Sequence, residues 1–247
     1  MSGIPGSRLF DDAATQYLSY PVALVTLEPI TLACMFRTND VTTEQALINV
    51  GDTGVANGDR IALNFDGTGA SDPIRALTRS GGIAVNSAKT GVLVNTWHQG
   101  TAVFPAADRR VVYLDGIAGT AETTAKAPTG LDVTYLGARA AGTIAAYLSG
   151  EMAYAAIWQA ALTGQDIARL AAGWHPAAVQ RAGLVACWDL AGVSDPELDA
   201  AGGYHLTLVN GPTRSQRVTR PIYREPVRPW RYTGFARGRV IGGGVCA

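Results

Sequence analysis

Turn residues interrupt this chain every eight to twelve positions, and the runs between them are too short for anything but strands. RTND, GDTGVANGDR, DGTGASD and SGG are such interruptions. Asp and Asn bond their own backbone in tight turns, and Gly supplies the backbone angles that other residues avoid. Between the turns the apolar residues alternate, as in RIALNFDG, where Ile61, Leu63 and Phe65 stand against Ala62 and Asn64. A period of two belongs to a strand, and no helical period appears before residue 163. The pattern predicts an all-β chain, a two-sheet antiparallel β-sandwich assembled from hairpins.

Taken in order, SRLFDDAATQYLSY reads as two short strands around a DDAAT turn. PITLACMF places Ile30, Leu32, Cys34 and Phe36 on one face and Thr31, Ala33 and Met35 on the other. Apolar or small residues on both faces predict a central strand covered on both sides. EQALINVG, PIRALTRS and GIAVNS follow as strands, then GVLVNTWHQGTAVFP, in which Trp97 opens a strand. RRVVYLDG ends in the turn Leu114–Gly116, whose Asp-Gly closes a hairpin. LDVTYLGAR and GEMAYAAIW precede the one clear helix. Thr163 is its N-cap, with Asp166 three residues on as a capping-box variant. Ile167, Leu170 and Ala171 give its apolar face, and Gly173 ends it. HPAAVQRAG adds a turn, and GLVACWDLAG and YHLTLVNGP return to strand.

From Thr213 the grammar changes. Pro221, Pro226 and Pro229 remove backbone donors, and aromatic residues alternate with arginines. The expected division is a sandwich over residues 1–213 and an extended C-terminal arm over residues 214–247. The arm carries eight arginines against Glu225, a balance of +7, which leaves −7 for the 213 residues before it because the whole chain is neutral. A basic arm on an acidic body points to an acidic docking surface. Arg220, Arg224, Arg228 and Arg231 would pair with carboxylates, while Tyr223, Trp230, Tyr232 and Phe235 would anchor on a neighbouring subunit. Interleaved arginines and aromatics also suit single-stranded nucleic acid, but the acidic body repels a polyanion, so no nucleic-acid partner is expected. The remaining alternative is an arm folded back over its own body.

Cys34, Cys187 and Cys246 form neither a disulfide framework nor a metal-ligand spacing. The N-terminus lacks a signal-peptide pattern and no apolar run reaches membrane-spanning length, so assembly in a cytoplasm without membrane contact is expected.

Several pieces, in order, resemble the laminin-G-like members of the concanavalin-A-like lectin/glucanase superfamily. PITLACMFRT resembles that family's early strand, and NTWHQGTAVF with RRVVYLDGIAG resembles its central hairpin. VTYLGAR followed by GEMAYAAIWQAALTGQDIARL resembles its closing strand and helix. GLVACWDLAG and DAAGGYHLTLVNGPT resemble its last two elements. With SRLFDDAATQYLSYP, which resembles the family's first strand pair, these touch roughly residues 7–213. The resemblance implies a jelly roll, a fold that hosts lectins, glycosidases, adhesion modules and viral structural proteins.

Function therefore rests on sites. Glycosidases of this superfamily carry Glu-x-Asp-x-x-Glu on one strand, whereas GEMAYAAIW offers Glu151 alone, and no enzyme is expected. Calcium would need clustered oxygens: Asp52, Asn57 and Asp59 are one candidate set, and Asp195 and Asp199 lie on another loop, although turn chemistry accounts for both. A lectin needs an exposed aromatic beside polar groups. Trp158, Trp188 and Trp97 read as packing residues, which leaves Trp174 and His175, just after the helix, as the sugar-binding candidates. A jelly roll with an Arg-rich aromatic arm and no secretion signal resembles a bacteriophage virion protein. That likeness implies a non-enzymatic capsid decoration protein or head or tail fibre subunit, held to other virion proteins by its arm, as a homo-oligomer. The alternative from a different class is a carbohydrate-binding module for host or environmental glycans, with calcium in a supporting role.

Overall fold

The structure, a computed structural model, describes residues 6–67, 71, 73–192 and 194–215. Its strands are β1 (Ser7–Phe10), β2 (Tyr17–Tyr20), β3 (Ile30–Thr38), β4 (Gln45–Gly51), β5 (Arg60–Phe65), β6 (Ile74–Ser80), β7 (Ile83–Lys89) and β8 (His98–Ala106). They continue as β9 (Arg109–Leu114), β10 (Ile117–Ala118), β11 (Val133–Leu136) and β12 (Gly150–Trp158). Helices α1 (Gly164–Ala171) and α2 (Pro176–Val179) come next, then β13 (Leu184–Trp188), β14 (Thr207–Val209) and β15 (Thr213–Ser215).

Two antiparallel sheets face each other. One runs β10-β9-β8-β3-β12-β1-β15 with β13 also paired to β12; the other runs β14-β2-β11-β4-β5-β6-β7. β1 and β2 flank a turn but enter different sheets, so the first turn is a corner of the sandwich. Alternation decides which side chains fill the space between: Leu32, Cys34 and Phe36 of β3 meet Ile61, Leu63 and Phe65 of β5 in one continuous core. The rings of Phe36 and Phe65 stack across it with centroids 6.0 Å apart. Burying each such side chain contributes roughly 1.5–3 kcal/mol, which is what holds the sheets together. Gly100 lets them close up, because a Cβ there would lie 2.7 Å from the Ile74 Cδ1 atom.

The eight-stranded sheet is covered on its outer side too. Ile167 and Leu170 of α1 pack with Ala33, Val103, Ala156, Trp158 and Cys187. Ala33 and Ala156 face each other across β3 and β12, and their small side chains let the helix approach the sheet. Trp158 is fully buried there, with its Nε1 donating to the Gln180 carbonyl at 2.8 Å. The capping box expected from Thr163 and Asp166 is present, and Gly173, at φ 86°, follows the helix end.

Two expectations shift. The run from Gly91 to Trp97 is not strand: Gly91 and Asn95 take positive φ, Leu93 and Val94 are exposed, and β8 begins at His98. Residues Arg214 and Ser215, assigned from composition to the arm, pair with Arg8 and Ser7 as β15. Every arm residue proposed as an anchor, Arg220, Tyr223, Arg224, Arg228, Trp230, Arg231, Tyr232 and Phe235, lies outside the described residues.

Candidate functional site

β12 does not alternate evenly. Met152 and Ala155 both belong to the core, yet two residues separate them, and the pairing with β3 slips between Ala153 and Ala156. The extra residue is a β-bulge, a device that re-aims a side chain. Here it turns Tyr154 onto the outer face, at φ 49°. A bulky residue in the left-handed region costs on the order of 1–2 kcal/mol, so the surrounding structure must enforce it.

Tyr154 lines an open, shallow cleft between that face and the end of α1. Ala33, Met35, Gln99, Leu170 and Trp174 line it as well. The Arg169 guanidinium lies 5.5 Å from the Trp174 ring centroid and fixes that ring at the rim. The His175 ring meets Tyr154 edge-on at 5.0 Å. Of the two sugar-binding candidates, Trp174 lines this cleft and His175 meets it only through its ring contact with Tyr154.

Gln99 is the polar group of the cleft. Its Nε2 donates to the Gly100 carbonyl at 2.9 Å and to Thr101 Oγ1 at 2.7 Å. A carbonyl accepts only, so the amide cannot be turned over, and its Oε1 is left buried with no partner. A buried acceptor in that state costs roughly 1–3 kcal/mol until a donor arrives.

His175 also lies beside Cys187 and Asp189, the three offering ligand atoms within 4.8 Å of one another. The bonding fits a helix cap better than a metal. His175 Nδ1 accepts from the Ala177 N–H at 3.2 Å, so Nε2 keeps its proton and donates to Asp189 Oδ1 at 2.7 Å. Burial, reinforced by Asp189 and then Asp199, pushes the Cys187 thiol up to about 12.

The other candidate carboxylates are bonded within the chain. Asp52 accepts from the Gly54 N–H and Asp59 from the Gly81 and Thr129 N–H groups, while Asn57 sits at φ 54°. These three residues share a loop, with both carboxylates engaged by backbone. Asp199 accepts from the N–H groups of Cys187, Ala201, Gly202 and Tyr204. Glu151 is divided between Ser7 Oγ at 2.5 Å and Arg37 Nη1 at 2.8 Å.

Two facing antiparallel sheets, one with a capped helix on its back, define a lectin-type jelly roll. The laminin G model of the concanavalin A-like lectin/glucanases superfamily matches residues 12–168, and the chain belongs to that superfamily. A comparison with curated proteins gave no match. Among similar solved structures is a candidate carbohydrate-binding protein from Bacteroides ovatus, with TM-score 0.61 and 18% identity, over 83% of this chain and 58% of that one. This chain therefore spans little more than half the length of that protein. Another is the CBM40 of the Ruminococcus gnavus IT-sialidase bound to α2,3 sialyllactose, with TM-score 0.53 and 15% identity, over 63% of this chain and 93% of that one. A third is domain 4 of the Geobacillus stearothermophilus arabinanase AbnA in complex with arabinotriose, with TM-score 0.51 and 16% identity, over 63% and 72%. At these identities the likeness is one of fold.

Proposed function

We propose that the chain is a carbohydrate-binding module that holds its sugar in the cleft beside Trp174 and catalyses nothing upon it. The observation that carries this reading is an open cleft on the outer sheet face walled by two aromatic rings, Trp174 and Tyr154, with Gln99 in its lining. The C–H face of a pyranose packs on such rings. The strained bulge that aims Tyr154 has no evident role in packing the core and is accounted for by a ligand. That similar structures include proteins titled as carbohydrate binders supports the class. Glycoside hydrolysis requires two carboxylates flanking the bond, and no carboxylate is among the described residues lining the cleft.

Calorimetric titration of the full chain against neutral mono- and oligosaccharides tests this. At least one sugar should bind with a millimolar or tighter Kd, and Trp174→Ala should weaken it tenfold or more without lowering the melting temperature. No heat from any sugar at millimolar concentration would remove the reading.

The charge split along the chain favours a second, compatible role. The arm anchors the module on an acidic protein surface, as a decoration or fibre subunit of a bacteriophage particle. A chain ending at Ser215 keeps every described strand, and it should melt as the full chain does while no longer sedimenting with particles. Retained co-sedimentation would exclude anchoring by the arm.

A further inference from the structure

The outer face of the seven-stranded sheet carries an arrangement that the sugar cleft does not use. Ile61 and Leu63 point into the core, so Arg60 and Asn64 of β5 point out; Ile74 and Ala76 likewise leave Arg75 and Arg79 of β6 outward. Arg60 and Arg79 are direct cross-strand partners. Like charges in that position repel, and sheets normally avoid them.

Nearby carboxylates do not relieve the pair. Glu44 is consumed by Arg75 Nη2 at 3.1 Å, Arg139 Nη1 at 2.5 Å and Asn64 Nδ2 at 3.0 Å. Asp66 is held by Arg75 Nη1 at 2.7 Å. Among the described residues, four arginines thus face two acids. Arg60 is only 5% exposed, yet among the described residues its one side-chain hydrogen bond is a long one, 3.4 Å to the Gly58 carbonyl. Burial, with Arg139 next, pulls its guanidinium down to about 10, and Arg79 and Arg75 push the same way against Glu44. Arg79 engages the Asn57 carbonyl through Nε alone. The Nε atoms of Arg75 and Arg139 and the Nδ2 of Asn49 are buried donors without acceptors. Asn49 is covered by the Ala140 segment, whose N–H its Oδ1 accepts at 3.0 Å.

A surplus of two positive charges and a set of unfilled donors on one sheet face is the complement of an oxyanion. We propose that this face binds a carboxylate or sulfate group between Arg60, Arg79 and Arg139. The planar guanidiniums match either group in two-pronged fashion. The site lies on the opposite sheet from the sugar cleft and stands independently of the function proposed for that cleft.

The arginine Nε–H resonances of the full chain report on it directly. Titration with sodium sulfate and separately with sodium glucuronate should give saturable millimolar shifts at Arg60, Arg79 and Arg139. Glucose, and sodium chloride at matched ionic strength, should not. Arg79→Gln, at a half-buried position with a single backbone contact, should weaken the binding at least tenfold, and Trp174→Ala should leave it unchanged. Glucuronate binding more tightly than sulfate assigns the site to an acidic sugar, and the reverse order assigns it to a free inorganic anion. Equal shifts with chloride, or full-strength binding by Arg79→Gln, would overturn the proposal.

Discussion

Arg8 and Glu197 form an ion pair sealed inside the protein, joining the first strand to a loop almost two hundred residues later. Arg8 also donates to the carbonyls of Ser194 at 2.9 Å and Pro212 at 3.2 Å. Burial raises the pKa of Glu197, and the Arg8 contacts offset that only in part. The two partners are therefore unequal. Arg8→Met strands a buried carboxylate and should cost about 3 kcal/mol at pH 7 in chemical denaturation. Glu197→Gln keeps an acceptor for Arg8 but leaves its buried charge uncompensated, and should destabilise less than Arg8→Met. The folded chain holds the Glu197 proton more tightly than the unfolded chain does. Its contribution is thus complete below the unfolded value of about 4.5 and is lost as pH rises through the folded value. Stability of the wild type relative to Glu197→Gln should fall across that interval, and a rise would contradict the assignment.

Tyr154→Gly tests the bulge. Glycine accepts φ 49° without penalty, which recovers about 1–2 kcal/mol. The ring's contact with His175 is lost at the same time. The two effects oppose each other, so the melting temperature should move by only a few degrees while sugar affinity drops tenfold or more. A variant that melts normally and binds normally would show that Tyr154 does not touch the ligand.

Cys187 should be chemically silent. Its thiol is buried with a pKa pushed to about 12, and thiolate is the reactive form. A disulfide reagent at neutral pH should leave the Cys187 peptide unlabelled in the folded chain and label it once denaturant is added, as read by mass spectrometry.

Chelation should leave the melting temperature where it is. Asp52 and Asp59 already accept backbone N–H groups, the arrangement that turn chemistry predicts from their spacing. A drop of several degrees with EDTA, restored by calcium, would instead assign the Asp52, Asn57 and Asp59 loop to the cation.

What could be read from the sequence follows from where the physics is local. The alternation of Ile61, Leu63 and Phe65, and the cap at Thr163, depend on neighbours a few residues away, and both are found where expected. The apolar run at Leu93 and Val94 misleads because its backbone turns at Gly91 and Asn95 before a strand can form. In the site, Trp174 stands out as an aromatic just past a helix end. Tyr154 and Gln99 do not, since a bulge is set by pairing with β3 and leaves no mark in GEMAYAAIW. The arginine face is equally hidden: residues 19 positions apart become opposite neighbours only through register, as Arg60 and Arg79 do.

β12 has one further consequence, and it concerns time. This strand bonds to β3 along one edge and shares the other between β1 and β13, so its partners come from residues near 8, near 35 and near 187. On a ribosome, Tyr154 and Trp174 are made before β13 (Leu184–Trp188) emerges to fix the strand in register. Contacts of such long range make folding slow, in the range of milliseconds to seconds. The cleft is thus among the last features to acquire its shape, and a chain stopped before Leu184 would carry all the residues that line it without the strand that holds them in register.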